Sequence, residues 1–209
     1  MLKNTNKSHV ESLLRSAMLA SMLSLTALLS ACANFYVDTA TKEVPAAEMK
    51  QVAQPKPVQL VFEFQSKGVP NPRATDQLKD VVIKEVKETR LFSSVSADST
   101  PGVAMLNVTL NNVPLTDNIA AKGFVTGLTF GLAGSAVTDG YICTVSYLPA
   151  GQSTPIVKTA RHAIHTTMGI ANPPATAQKS PSIREAIDTM TRDVLSNALK
   201  DLSDDPAFN

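Results

Sequence analysis

Residues 1–15 carry Lys3, Lys7 and Arg15 against the single acid Glu11, and residues 16–29 hold no charge at all. A basic stretch followed by a short apolar one has the build of a secretory signal peptide. It is too short for an ordinary membrane span, which needs roughly 20 apolar residues to cross about 30 Å of hydrocarbon. The segment therefore reads as one that is removed. Whatever the chain folds into has to be made from the residues beyond it, in a compartment where thiols are open to oxidation.

The junction reads Leu29-Ser30-Ala31-Cys32, which resembles the lipobox of bacterial lipoproteins. There the cysteine thiol accepts a diacylglyceryl group, the peptide is cut before it, and the new amine is acylated. The alternative is an ordinary secretory cut near Ala31 or Ala33. Each buried methylene of an acyl chain contributes about 0.8 kcal/mol, so several chains on Cys32 make a stable anchor. Ala33 stands where an inner-membrane retention signal would place aspartate, so the expected location is the outer membrane, facing the periplasm.

Taking residues 1–31 from the 209 leaves 178, with 16 basic and 17 acidic residues. A nucleic-acid partner would call for a clustered basic excess, which this balance lacks. The two cysteines are Cys32 and Cys143. With the first used for lipid, no disulfide within the chain remains, and Cys143 is expected as a small buried apolar residue. The length suits one domain with a core of its own. Residues 32–56, rich in Ala, Thr, Lys and Pro and running into Gln54-Pro55-Lys56-Pro57 at the domain boundary, are expected to form a lipidated cysteine and an extended tether. Phe35, Tyr36 and Val37 form a sticky patch within it, set against lipid headgroups or the domain. The domain itself is expected over 57–209, with an apolar insert at 119–138.

Within that domain Val58, Leu60, Phe62 and Phe64 alternate with more polar neighbours, as do residues 106–111 and 141–147, and each run predicts a strand. Residues 156–168 predict a fourth strand, joined to the third as a hairpin across Pro149 and Gly151. Leu78, Val81, Val82, Val86 and Thr89 share one face of a helix that Asn71 and Pro72, or Thr75, can start. A second helix opens on the capping box Ser182-Ile183-Arg184-Glu185 and carries the stripe Ile183, Ile187, Met190, Val194, Ala198 and Leu202. The order β-α-β-insert-β-β-α predicts an α+β fold: a two-layer sandwich, mainly an antiparallel sheet of about four strands with two long helices on one face.

Candidates for chemistry are few. His162 and His165 are spaced for a shared metal on a helix, but on a strand an odd separation sends them to opposite faces. A solvated strand edge is the expected setting. Ser135 lacks a nucleophile elbow, and the glycine run lacks the endings that cradle phosphate. No catalytic residue, metal site or cofactor is expected, and the chain is read as a non-enzyme.

The most unusual stretch is the uncharged run from Gly123 to Thr138, in which Gly123, Gly127 and Gly131 recur every four residues. As a helix it would reach only about 24 Å at 1.5 Å per residue, short of the hydrocarbon thickness. As a hairpin its limbs of about 8 residues fall short of the 9–11 a membrane strand needs. Burial under the domain, self-association and contact with lipid all stay open for Gly123, Phe124, Gly127, Leu128, Phe130 and Gly131.

The lipobox, the proline-bearing segment, the strand from Val58 to Phe64, the helix with Leu78 to Val86, the Gly-Leu-Thr-Phe-Gly insert and the closing helix together resemble small envelope lipoproteins of proteobacteria. Their order is similar to the fold shared by the amino-terminal domain of TolB, the lipoprotein activators of penicillin-binding proteins, PelC and the soluble part of the curli secretion lipoprotein. The resemblance implies a lipid-anchored adaptor or assembly lipoprotein that works through an envelope protein partner, with homo-oligomers open to it. The alternative is a membrane-active or pore-forming oligomer that uses residues 123–138.

Overall fold

The computed structural model describes residues 33–115, 137–168 and 172–208. Cys32, the signal segment and the six residues from Gly123 to Gly131 singled out above lie outside the described residues. Among the described residues the strands are β1 (Ala33–Asp38), β2 (Pro57–Ser66), β3 (Val69–Pro70), β4 (Ser94–Ser96), β5 (Ala104–Leu115), β6 (Val137–Leu148), β7 (Ile156–Met168) and β8 (Ala177–Ser180). The helices are α1 (Pro72–Glu88) and α2 (Ile183–Asp204).

One open sheet holds all the strands in the order β3-β2-β5-β6-β7-β1-β8, with β4 paired to β2. β2 runs parallel to β5, with α1 in the connection, and β5, β6 and β7 form an antiparallel meander. The long strands alternate as their sequences require. Val58, Leu60, Leu106, Val108, Leu110, Cys143, Val145 and Tyr147 join the core, together with Leu78, Val82 and Val86 of α1 and Met190, Val194, Ala198 and Leu202 of α2. The architecture is α+β, with both helices packed against the sheet, and the sheet has eight strands where about four were expected. The additional ones, β1, β3, β4 and β8, are short.

Local signals act where the chain places them. The Asn71 side chain accepts the Ala74 N–H at 3.1 Å and Pro72 opens α1, which removes one orphan donor of the first turn. Ser182 accepts the Glu185 N–H at 3.2 Å at the start of α2. Between β2 and β3, Lys67 and Gly68 both take positive φ, 55° and 79°, the geometry of a two-residue hairpin turn whose twist matches its strands.

The expected tether over 32–56 is instead part of the domain from Ala33 onward. β1 lies inside the sheet, paired antiparallel to β7 on one side and to β8 on the other. Residues 42–50 then run along α2 as a strap. Val44 N–H donates to Ser196 Oγ at 2.9 Å, Lys50 N–H donates to Ser203 Oγ at 3.2 Å, and Asn197 Nδ2 donates to the Lys42 carbonyl at 2.7 Å. Met49 of the strap is buried in the core. The patch Phe35-Tyr36-Val37 thus packs on the domain itself. Two smaller corrections follow from the same register: Val137 and Thr138 belong to β6 and not to the insert, and Ile183, placed in the apolar stripe of α2, is exposed at its first turn.

Candidate functional site

β7 carries the two histidines three residues apart, an odd separation, and the sheet sends their rings to opposite faces, as the strand reading requires. On the helix side, His162 Nε2 lies 3.2 Å from Asp193 Oδ2 on α2, while the Ala163 N–H donates to His162 Nδ1 at 2.8 Å. A ring with its proton on Nε2 satisfies both contacts. On the other face, His165 Nε2 lies 3.3 Å from Asp38 Oδ2, and Thr138 Oγ1 lies 2.9 Å from His165 Nδ1. Asp38 also accepts from Thr176 Oγ1 at 3.2 Å and from the Ala40 N–H at 2.7 Å.

Both imidazoles are fully enclosed, with no exposed surface, so the expected solvated strand edge is overturned. The physical reason lies in side chains from other elements: Asp193 of α2 stands against His162, and Asp38 of β1 and Thr138 of β6 stand against His165. Burial works to raise the Asp38 carboxyl, but the hydrogen bonds from His165, the Ala40 N–H and Thr176 outweigh it, and the group sits below the ordinary carboxylate range.

The series Thr138, His165 and Asp38 has the order hydroxyl, imidazole, carboxylate familiar from nucleophilic catalysis. A nucleophile must reach its substrate, however, and Thr138 is buried. The arrangement instead links β6, β7 and β1, and through Thr176 the turn into β8. His162 and Asp193 link the same β7 to α2. A cleft of about 460 Å³ between β1, β8 and α2 has Asp38, Asp193, Lys42, Lys179 and Glu185 among its lining residues. The carboxylates of Asp38 and Asp193 are already engaged by His165 and His162. Among the described residues no group of three or more His, Cys, Asp or Glu side chains is placed to hold a metal ion.

Sequence reasoning missed both aspartates. Asp193 had a readable signal: it follows Met190 by three residues and precedes Val194, which puts a carboxylate on the apolar side of the helix, where it requires a partner. Asp38 had none, because it stands in a stretch whose composition suggested a tether.

Cys143 faces the core and is 1% exposed; burial pushes its thiol up to about 12. The thiolate is the reactive species, so Cys143 is expected to resist alkylation in the native protein and to react fully once the chain is unfolded in guanidinium. Mass spectrometry of iodoacetamide-treated protein reads this directly; rapid native labelling would contradict the packing.

No family model matches the chain, and no curated protein matches it. Among solved structures, a dodecamer of a PelC variant from Paraburkholderia phytofirmans is similar at 9% identity and a TM-score of 0.31, covering 80% of this chain and 95% of that one. The rare lipoprotein B of Shewanella oneidensis is similar at 13% identity and a TM-score of 0.31, covering 69% of this chain and 88% of that one. What the chain does is therefore argued from its own residues.

Proposed function

We propose that the chain is an envelope lipoprotein, anchored by acylated Cys32 to the periplasmic side of the outer membrane, and that it acts by protein–protein interaction as an adaptor or assembly lipoprotein. The observation that carries the anchor is the fate of the second cysteine. Cys143 lies in the middle of β6, opposite Leu110 on one side and Ala160 on the other, enclosed and turned into the core. A disulfide needs Cα atoms about 4.4–6.8 Å apart and thiols that can meet, and the enclosed Cys143 thiol is committed to the core. Cys32, directly behind a segment with the build of a signal peptide, is the cysteine that suits acylation.

The non-catalytic half of the reading rests on the enclosure of the same groups. His162, His165 and Cys143, the side chains best suited to acid–base or nucleophilic work, are all committed inside the fold. Self-association belongs to the reading as well.

Growth with an alkynyl palmitate tests the anchor. Wild type is expected to take up label and to float with the membranes, whereas Cys32→Ser is expected to lose all label and to accumulate in its uncut form. Label retained by Cys32→Ser would refute acylation at this residue. Crosslinking of the lipidated protein in intact envelopes then tests the adaptor role. A discrete adduct with one envelope protein supports it, and adducts to itself alone favour an oligomer without an adaptor role.

A further inference from the structure

The sheet has two ends, and among the described residues most of the large exposed apolar side chains are gathered at one of them. Ala33 at the start of β1 pairs with Met168 at the end of β7. Val137 at the start of β6 pairs with Thr166, and Leu115 at the end of β5 pairs with Thr138. β2 runs parallel to β5, so its hairpin with β3 turns at the same end, where Val69 pairs with Ser66. β8 runs antiparallel to β1 and finishes there at Ser180, opposite Phe35, and α2 sets out from it at Ile183. Val69, Val137, Met168 and Ile183 are four of the six large exposed hydrophobic residues among those described, Val69 and Met168 being about two-thirds exposed at 65% and 69%. The other two, Val61 and Val157, lie away from this end along β2 and β7.

We infer that this pole, with Val69, Val137, Met168 and Ile183 at its tip, rests against the lipid surface and fixes the orientation of the domain. The inference rests on the acylation of Cys32 proposed above. What says that lipid covers the patch is the length of chain between anchor and fold. Ala33 is the first residue of β1 and follows Cys32 directly, and neighbouring Cα atoms are about 3.8 Å apart. With β1 held inside the sheet, the domain has no slack with which to stand off from the headgroups.

Charge agrees with apolar placement. Both helices begin at this pole, so their positive ends point toward anionic headgroups, and Lys67, Arg73 and Arg184 are exposed around it, against Asp76 and Glu185. The opposite end carries Asp98 and the ion pairs Lys158–Asp205, Lys84–Glu88 and Lys200–Asp204, a surface suited to water and to a polar protein partner.

The test uses the lipidated full chain in vesicles of phosphatidylethanolamine and phosphatidylglycerol that contain brominated lipid. Single cysteines are introduced at the pole by Val69→Cys, Met168→Cys and Ile183→Cys, and at the far end by Asp98→Cys and Gln152→Cys, and each is labelled with bimane. All five sites are on the surface, and a count of one reactive thiol under native conditions shows that Cys143 is still enclosed and the variant folded. Emission from the three pole sites is expected to fall by half or more, with the two far sites unchanged. Equal emission at both ends, or quenching at the far end, overturns the inference while leaving acylation intact. A chain that takes up no acyl label and does not float refutes the anchor, and the orientation falls with it.

Discussion

A chain shortened to begin at Pro57 is expected to lose cooperative folding, while one that begins at Ala33 keeps it. The deletion takes out β1, which is an interior strand held between β7 and β8. It removes Val37 and Met49 from the core, and burying such side chains contributes about 1.5–3 kcal/mol each. It takes Asp38 away from His165, and leaving a buried hydrogen-bonding group without its partner costs about 1–3 kcal/mol. It also withdraws the backbone donors that serve Ser196 and Ser203. Together these losses are comparable to the whole stability of a domain, about 5–15 kcal/mol. Thermal unfolding followed by circular dichroism, with both chains prepared without the signal segment and with Cys32 absent, measures the difference. A sharp transition in the shorter chain at the temperature of the longer one would show that residues 33–56 are a tether after all.

The same region marks where the sequence was legible and where it was not. β2, β5, β6 and β7 could be read because one of their faces is buried along most of their length and the alternation survives. The helices could be read because their caps, Asn71 and Ser182, stand before clear stripes. β1 hides for the opposite reason. Its later residues are covered on both sides, Val37 by the core and Asp38 by the turn before β8, so the six residues show no alternation to detect. The strap after it is held through its backbone N–H groups and carbonyls to Ser196, Ser203 and Asn197, and composition says nothing about such contacts. β3, β4 and β8 are two, three and four residues long, too short for a period-2 pattern. For the histidines, parity gave the opposite faces correctly. Their burial depends on partners 31 and 127 residues away in the chain, a distance that local pattern does not span.

Asp38→Ala is expected to destabilise the domain by about 2–3 kcal/mol at neutral pH, because it leaves an enclosed imidazole facing a cavity where its carboxylate stood. For a chain of this size that corresponds to a fall in Tm of roughly 4–12 °C. The pH dependence separates charge from mere packing. The folded protein holds the Asp38 carboxyl below its ordinary value of 3.8, so the stabilisation it supplies is complete above that value and is lost as the pH falls through the lower, folded one. Wild type should therefore weaken steeply below about pH 4. Asp38→Asn, which keeps the size of the side chain but cannot ionise, should start lower at neutral pH and lose less over the acid range, bringing the two curves together. Urea midpoints measured from neutral to strongly acid pH give the comparison. Parallel curves for wild type and Asp38→Asn would show that the carboxylate is not what holds β1 against β7, and the strand would then owe its place to Val37 and its ladder hydrogen bonds alone.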